Sequence, residues 1–328
     1  MKAFLVEQIA DKEFISGVKE VSIPKCGDNE VVIEVTYSSL NYKDALSSVG
    51  NSGVSRKFPH ITGIDVSGTI FESTSPVFKI GEKVLVTGYD MGMNSDGGHA
   101  QYVKVPASWV ARIPDSITDK EIMIFGTAGL TAALSVNELI EHEIIPESGD
   151  ILVTGATGGV GSIAISILRK LGYNITAISG KKERVNFLKD IGANEIIFRE
   201  DFEKQSSKPL LSEKYAGVID TVGGTILANA LKQVKYDGVV TCCGLTSSYE
   251  LNTNVFPFIL RGVRLIGIDS VECKLEKKQA CWEKLASRWK INTLDTIINE
   301  ISLKEIKTAY EHLLSGKAVG RYVVKIKE

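Results

Sequence analysis

The spacing of hydrophobic and polar positions along this chain changes at about residue 115. Before that point, short runs of strand-like residues are separated by Gly, Pro, Asn and Asp, and few helical repeats interrupt them. This pattern predicts a largely antiparallel, barrel-like β domain. The predicted strands lie at 30–36, 65–70, 83–87 and 101–105.

From about residue 150, apolar runs of strand length alternate with segments of helix length. Continuous apolar runs are typical of strands that are buried on both faces of a parallel sheet. Helices are predicted at 160–171 and 183–191, where the following Gly172 and Gly192 favour helix ends. The alternation predicts an α/β fold with a doubly wound parallel sheet. Its six predicted strands lie at 151–154, 175–178, 195–198, 216–221, 238–242 and 264–268.

The last part of the chain returns to a mixed pattern. Helices are predicted at 277–290 and 303–314, and the alternation at 321–326 predicts a final strand, which we expect to return to the N-terminal domain. A helical stretch at 126–140 is expected to join the two domains. The predicted domains are a β-rich domain, 1–123 with 271–328, and an α/β domain, 124–270.

Composition and charge narrow the class of protein. The 328 residues are 44% hydrophobic, which supports two packed cores and excludes a disordered chain. The 38 Lys and Arg nearly balance the 40 Asp and Glu, so no extended nucleic-acid footprint is expected. The five cysteines lack CxxC spacing and indicate no disulfide framework. Glu7 interrupts any secretory signal, and no apolar run approaches membrane-span length, so we expect a cytoplasmic protein that binds no membrane.

The most informative motif follows the first predicted parallel strand. Residues 154–161 read Thr-Gly-Ala-Thr-Gly-Gly-Val-Gly and open a helix. Glycines allow the backbone to turn tightly and to approach a pyrophosphate, whose charge then faces the N–H groups of the helix start. The motif departs from strict GxGxxG and is compatible with a plain tight turn, but its strand, turn and helix context favours dinucleotide binding. The predicted backbone contacts are Thr157, Gly158, Gly159 and Val160.

The end of the next strand predicts which dinucleotide is bound. A cofactor without a 2′-phosphate is usually held there by Asp or Glu, but this sequence has Ser179, Lys181 and Lys182. A hydroxyl and cations suit a 2′-phosphate, so NADPH is preferred over NADH. Ser179 and Lys181 are expected at the phosphate and Arg199 at the adenosine end. The alternative is a solvated helix start with incidental lysines.

A β domain followed by this dinucleotide motif resembles the medium-chain dehydrogenase/reductase superfamily over essentially the whole chain. The resemblance implies a GroES-like β-rich catalytic domain and a Rossmann doubly wound sheet. Where the zinc alcohol dehydrogenases of that superfamily carry a catalytic Cys and a Gly-His-Glu segment, this chain reads Asn-Tyr-Lys-Asp at 41–44 and Gly-Ile-Asp at 63–65. His60 and His99 lack cysteine partners at ligand spacing, and Cys26 is the only N-terminal cysteine, so no metal site is expected.

Several segments are similar to the zinc-free, quinone oxidoreductase-like branch of the superfamily. Asn-Tyr-Lys-Asp-Ala-Leu at 41–46 and Gly-Ile-Asp-Ser-Val at 267–271 look like its acrylyl-CoA reductase (NADPH) group. The resemblance implies zinc-free hydride transfer from NADPH to the activated C=C bond of a short 2-enoyl-CoA, such as acrylyl-CoA to propionyl-CoA. NADPH:quinone or enone reduction differs only in the acceptor pocket and stays an alternative. A cofactor-binding protein with little turnover is a third.

The resemblance also implies roles for single residues. Asn41, Tyr42 and Asp44 are the candidate catalytic residues, with Tyr42 also beside the nicotinamide ribose and with Tyr42 or Asp44 as proton donor. Alternatively, Asn41 caps a helix that begins at Tyr42, and Asp44 is a first-turn acid. Asp65 is expected to form structural hydrogen bonds. The remaining expected cofactor contacts are Thr127, Leu245, Ile259 and Ser270, and for Ile259 and Ser270 the alternative is packing in the core.

A small-molecule substrate and a homodimer are the expected partners, the dimer through pairing of Rossmann sheet edges. The phosphorylated tail of a CoA thioester would meet Arg56 and Lys57 together with Arg261 and Arg264, unless these are ordinary solvated cations. Arg321 has a structural or a thioester-side role.

Overall fold

The computed structural model describes residues 1–204 and 208–327. The chain forms two compact units. The first comprises Met1–Leu130, Ser270–Arg288 and Ile298–Glu328, and the second comprises Thr131–Asp269 and Trp289–Ile297.

The regular elements are numbered in chain order. The strands are β1 (Lys2–Ala10), β2 (Glu13–Glu20), β3 (Glu30–Ser39), β4 (His60–Ile61), β5 (Asp65–Ser73), β6 (Lys83–Thr87), β7 (Tyr102–Pro106), β8 (Ala111–Arg112), β9 (Asp150–Val153), β10 (Ile175–Ser179), β11 (Glu195–Phe198), β12 (Tyr215–Asp220), β13 (Val234–Cys242), β14 (Arg264–Gly267), β15 (Ile298–Ser302) and β16 (Arg321–Lys325). The α-helices are α1 (Tyr42–Ser48), α2 (Asp119–Glu141), α3 (Gly159–Lys170), α4 (Val185–Asp190), α5 (Arg199–Phe202), α6 (Gly224–Leu231), α7 (Phe256–Arg261), α8 (Leu275–Ala286), α9 (Leu294–Ile297) and α10 (Ile306–Leu314).

The first unit is built on two sheets. A seven-stranded sheet has the order β15-β16-β3-β5-β6-β8 with β7 also paired to β3, and a smaller sheet has the order β2-β1-β4. All pairings are antiparallel except the parallel pair β15 and β16. On β3, Val31, Ile33 and Val35 are two residues apart and share one face of the strand, which places all three in the main core of the unit. The predicted antiparallel β domain is thus confirmed.

The chain end returns to this unit, as predicted, because β16 pairs antiparallel with β3 and Val323 lies opposite Ser39. The strand before it, β15, was not predicted. Its side chains are half-buried or exposed and follow no period of two. Alternation is the local signal of a strand, and β15 does not carry it.

The second unit contains a six-stranded sheet in the order β11-β10-β9-β12-β13-β14, with every neighbouring pair parallel. This is the Rossmann order, in which a ligand crevice forms at the carboxyl ends of the two strands where the order reverses. Those strands are β9 and β12. The predicted sheet is confirmed, although β13 begins at Val234, four residues early, because Tyr236 and Asp237 are exposed and interrupt the apolar run.

The helix α2 is longer than predicted and is bent. Gly126 has φ 51° and ψ −155°, so the helix consists of two segments that meet there. By length and composition alone α2 could cross a membrane, contrary to the expectation above. However, 89% of its most apolar window is buried inside the protein, which is typical of a core helix.

Candidate functional site

The turn between β9 and α3 brings the backbone close to neighbouring atoms. Gly155 has φ +58°, and a Cβ there would lie 2.2 Å from the Thr221 Oγ1 atom. No other residue type fits without displacing this contact. The turn ends at Gly158, the N-cap residue of α3, and the first N–H groups of a helix have no intrahelical partner. The predicted residues Thr157 to Val160 therefore lie at a helix start, where free N–H groups suit an anion.

A buried acid supports this turn from the neighbouring strand. Asp220 ends β12, and its Oδ1 accepts a hydrogen bond from Thr154 Oγ1 at 2.7 Å. Its Oδ2 accepts the N–H of Gly223 at 2.8 Å. Burial raises the pKa of Asp220, while these donors oppose the shift. Sequence reasoning had assigned no role to Asp220. The sequence signal that could have identified Asp220 is an acidic residue at the end of an otherwise apolar strand.

The end of β10 carries an excess of positive charge. Ser179 is 3% exposed, and its Oγ accepts the Lys181 N–H at 3.0 Å. The Arg199 guanidinium lies over Gly180, since a Cβ there would be 3.2 Å from Arg199 Cζ. Burial lowers the pKa of Lys181; the Glu183 carboxylate opposes this, and the Arg184 and Arg199 cations lower the pKa further. The structure thus brings Ser179, Lys181 and Arg199 together at the predicted place.

Three other predicted cofactor residues lie apart from this corner. Leu245 is 62% exposed in the loop after β13. Ile259 is 69% exposed on α7, and that helix ends at Arg261, which donates to the Lys232 and Val234 carbonyls where β13 begins. The end of α7 therefore lies at the amino-terminal edge of the sheet. Ser270 belongs to the first unit, where it is 7% exposed.

The short helix α1 carries the candidate catalytic residues. Asn41 is its N-cap, and the Asp44 Oδ2 atom accepts the Asn41 N–H at 2.7 Å, as in a capping box. Asp44 Oδ1 also accepts the Ile64 N–H at 2.9 Å. Asp44 is fully buried, and this burial, with the nearby Asp65 carboxylate, raises its pKa to about 7. The helix-cap geometry anticipated as the structural alternative is present.

Exposure separates the three candidates. Tyr42 is 38% exposed, and its hydroxyl makes no hydrogen bond to any residue in 1–204 or 208–327. Asn41 is 9% exposed, and Asp44 is inaccessible. Tyr42 is therefore the most exposed of the three candidate side chains.

A second buried acid gathers donors from several segments of the first unit. The Asp65 Oδ2 atom accepts hydrogen bonds from Ser39 Oγ at 2.6 Å and from Asn41 Nδ2 at 2.7 Å. It also accepts the Thr127 N–H at 2.8 Å, while the Thr127 hydroxyl donates to Oδ1 at 2.5 Å. Asp65 is fully buried, so the expected structural hydrogen bonds are present.

Arg321 closes this cluster from β16. Its Nη2 lies 3.7 Å from Asp65 Oδ2 and donates to Ser39 Oγ at 2.7 Å. Its other donors reach the carbonyls of Leu40 and Ile124 and, at 3.3 Å, the Asn41 Oδ1 atom. Arg321 is only 3% exposed, and its guanidinium is committed within this cluster.

The donor set at 41–44 and 63–65 does not fit a zinc ion. The Asn41 amide and the Asp65 carboxylate are bound to each other, and the Arg321 guanidinium stands where a cation would otherwise go. Zinc in proteins prefers thiolate and imidazole ligands. Within the part of the chain that the structure describes, no three His, Cys, Asp or Glu residues are grouped so that they could hold a metal.

Two family models match the chain. The alcohol dehydrogenase GroES-like domain matches residues 27–115, and the zinc-binding dehydrogenase family matches residues 159–289. The chain is 42% identical over 326 residues to "Putative quinone oxidoreductase YhfP" of Bacillus subtilis (strain 168), covering 99% of this chain and 98% of that protein. It is 38% identical over 323 residues to acrylyl-CoA reductase AcuI of Ruegeria pomeroyi, covering 97% and 98%.

Solved structures agree with these matches. The yhdH oxidoreductase of Salmonella enterica in complex with NADP has a TM-score of 0.96 at 39% identity and covers 100% of both chains. Bacillus subtilis yhfP with NAD bound has a TM-score of 0.95 at 42% identity and covers 99% of both chains. With both domains matched and relatives aligned end to end, this chain belongs to the medium-chain dehydrogenase/reductase superfamily.

Proposed function

We propose that this protein is an NADPH-dependent reductase that reduces the activated C=C bond of a short 2-enoyl-CoA, such as acrylyl-CoA. The full-length similarity to acrylyl-CoA reductase AcuI supports the reaction class. The Salmonella structure that holds NADP supports the cofactor.

The observation that carries the cofactor assignment is the charge at the end of β10. Ser179 offers a hydroxyl, and Lys181 and Arg199 offer two cations whose mutual repulsion a phosphate dianion would relieve. No carboxylate stands in 179–182 to accept a ribose hydroxyl. The pyrophosphate would lie against the start of α3 at Gly158 to Val160.

In this proposal Tyr42 is the proton donor. Bound NADPH supplies a hydride to the β-carbon of the alkene. Tyr42 is 38% exposed and its hydroxyl makes no hydrogen bond to the described residues, so the hydroxyl is the group proposed to deliver a proton to the α-carbon. Asp44 and Asn41 act behind it, because they fix the start of the helix that carries Tyr42.

A cavity beside the far end of α1 supports a CoA thioester. It has a volume of about 590 Å³, and its walls include Lys12, Arg56, Phe14 and Phe58, with Asp11 as the one acid. The seven residues of α1 span about 10 Å, so the cavity begins roughly one short helix away from Tyr42. Cations and aromatic rings suit a phosphorylated nucleotide tail.

Two members of the predicted basic cluster have other partners. Arg261 donates to the carbonyls of Leu211, Lys232 and Val234, and Arg264 donates to the Asp237 carbonyl. Arg56 also donates to a carbonyl, that of Ser52 at 3.2 Å, but it lines the cavity, whereas Arg261 and Arg264 do not, so the proposed thioester site relies on Arg56.

The test is steady-state oxidation of NADPH and of NADH with acrylyl-CoA, crotonyl-CoA, a benzoquinone and an aldehyde in parallel. We expect turnover with the enoyl-CoAs and NADPH, and a lower kcat for Tyr42→Phe. Turnover with the benzoquinone alone would support the second candidate, quinone reduction, which the similarity to the Bacillus protein favours. Preference for NADH would contradict the cofactor assignment.

We also propose a homodimer formed at the β14 edge of the parallel sheet. Among the residues that the structure describes, β14 pairs with β13 alone, and Val255, Ile259 and Leu260, shortly before β14 in the sequence, are 62%, 69% and 55% exposed. An apolar surface beside an open strand edge suits pairing with a second copy. Light scattering is expected to give a dimer for the native protein and a monomer for Ile259→Asp. A native monomer would contradict this proposal.

A further inference from the structure

We infer that Asp65 is a positioning residue, held by Arg321, which sets the orientation of Asn41 and Thr127 beside Tyr42. The inference rests on the proposed reductase function, because it concerns how that site is held in its active geometry. Asn41 precedes Tyr42, and Thr127 is an expected nicotinamide neighbour, so both flank the proposed reaction site.

The first argument is the polarity of the hydrogen bonds. An ionised carboxylate only accepts hydrogen bonds, so Asp65 requires each of its partners to point a proton toward it. The Thr127 hydroxyl therefore directs its proton to Oδ1, and Asn41 directs its NH2 group to Oδ2. The Asn41 Oδ1 atom is in consequence turned toward Arg321. A neutral residue at 65 would not impose these directions.

The second argument is the backbone of α2. A Cβ on Gly126 would lie 2.5 Å from Asp65 Oδ2, 2.5 Å from Ser39 Oγ and 2.9 Å from Arg321 Nη2. The bend in α2 thus lies in close contact with the Asp65–Arg321 ion pair. Thr127 begins the second segment of the helix, and its N–H donates to Asp65. Asp65 acts as the cap of that segment, so a change at 65 moves Thr127 as well.

The third argument is the pairing of charge. Asp65 and Arg321 are both buried, and they come from β5 and β16. A buried carboxylate without its cation is strongly unfavourable, whereas removal of both charges is often tolerated. Stability and orientation can therefore be separated by experiment. Replacing Asp65 by Asn together with Arg321 by Met removes the charge problem, but Asn41 and Thr127 are then offered one carboxamide oxygen in place of two carboxylate oxygens.

The experiment compares Asp65→Asn, Arg321→Met and the double variant with the native protein. Tyr310→Phe is the matched control: Tyr310 is buried in the same unit and its hydroxyl bonds Thr62 and His99, not Asn41 or Thr127. The readouts are Tm, kcat, the KM for NADPH and amide hydrogen exchange at Thr127. Any acceptor that the native protein reduces serves for kcat.

We expect Asp65→Asn to lower kcat roughly ten- to a hundredfold, as small misplacements do, with the KM for NADPH changed by less than about twofold. The double variant should recover Tm relative to each single variant but should not recover kcat. Exchange at Thr127 should accelerate in Asp65→Asn and in the double variant, and stay at the native rate in Tyr310→Phe.

Recovery of kcat together with Tm would overturn the inference, because Asp65 would then act through stability alone. Unchanged exchange at Thr127 in Asp65→Asn would overturn it as well. If the native protein reduces none of the acceptors, the proposed function fails, and the exchange measurement still decides whether Asp65 orients Thr127.

Discussion

The buried carboxyl group of Asp44 should make the protein less stable as the pH rises from about 4 to about 7. Its pKa lies near 3.8 in an unfolded chain and is raised to about 7 in the folded protein, first by burial and then by Asp65. Between these two values the folded state keeps a proton that the unfolded state has lost. The free energy of unfolding therefore falls as the pH increases through this window, and the loss is complete above it.

The size of the effect follows from the size of the pKa shift. The shift from 3.8 to about 7 corresponds to about 4 kcal/mol at about 1.36 kcal/mol per unit. The pKa of about 7 already includes the effect of the two N–H donors at Asn41 and Ile64, which favour the ionised form. We therefore expect a loss of about 4 kcal/mol across the window.

The assay is urea unfolding of the native protein and of Asp44→Asn from pH 4 to pH 8, with Asp28→Asn as a control at an exposed acid. The carboxamide does not titrate, so the stability advantage of the native protein over Asp44→Asn should shrink as the pH rises. Asp28→Asn should keep the native slope. An advantage that grows with pH would refute the reasoning, because the two N–H donors would then outweigh burial and hold Asp44 ionised.

The other predictions concern single contacts. Lys181→Ala should raise the KM for NADPH roughly ten- to a hundredfold, because a charged hydrogen bond of about 1.5–3 kcal/mol is lost. The KM for NADH should stay unchanged in the same steady-state assay. Gly126→Ala should lower the free energy of unfolding by about 1–3 kcal/mol or more, because φ is +51° and the new Cβ would meet Asp65 Oδ2; native-like denaturant unfolding would contradict this. Arg261→Met should destabilise the protein by about 1–3 kcal/mol in the same assay, because three carbonyls lose a donor, and should leave kcat unchanged.

Several features of the fold were predictable because their signals are local. The six parallel strands and the turn at 154–161 depend on apolar runs and glycines within a few residues of one another. The cations after β10 were recognisable in the same way, because strand, turn and helix place them at the sheet edge. By contrast, β15 pairs with β16 without any alternation of its own, so its neighbour in the sheet decides its conformation.

The burial and the partners of the candidate catalytic residues could not be predicted from local sequence patterns. A short sequence motif predicted both a cap and a catalytic role for Asn41 and Asp44. Their surroundings come from distant segments, since Asn41 contacts β5 and β16 and Asp44 accepts the N–H of Ile64. The bend at Gly126 likewise reflects atoms from distant segments, since Ser39, Asp65 and Arg321 surround it.

By itself the sequence determined the two kinds of domain, the glycine-rich turn and the positive charge after β10, because hydrophobic period, glycine spacing and charge act over a few residues. Only the tertiary structure decided which acid is exposed, which is buried and which is paired. Asp65 and Arg321 are far apart in the sequence, and hydrogen-bond partners at such separation are set by packing.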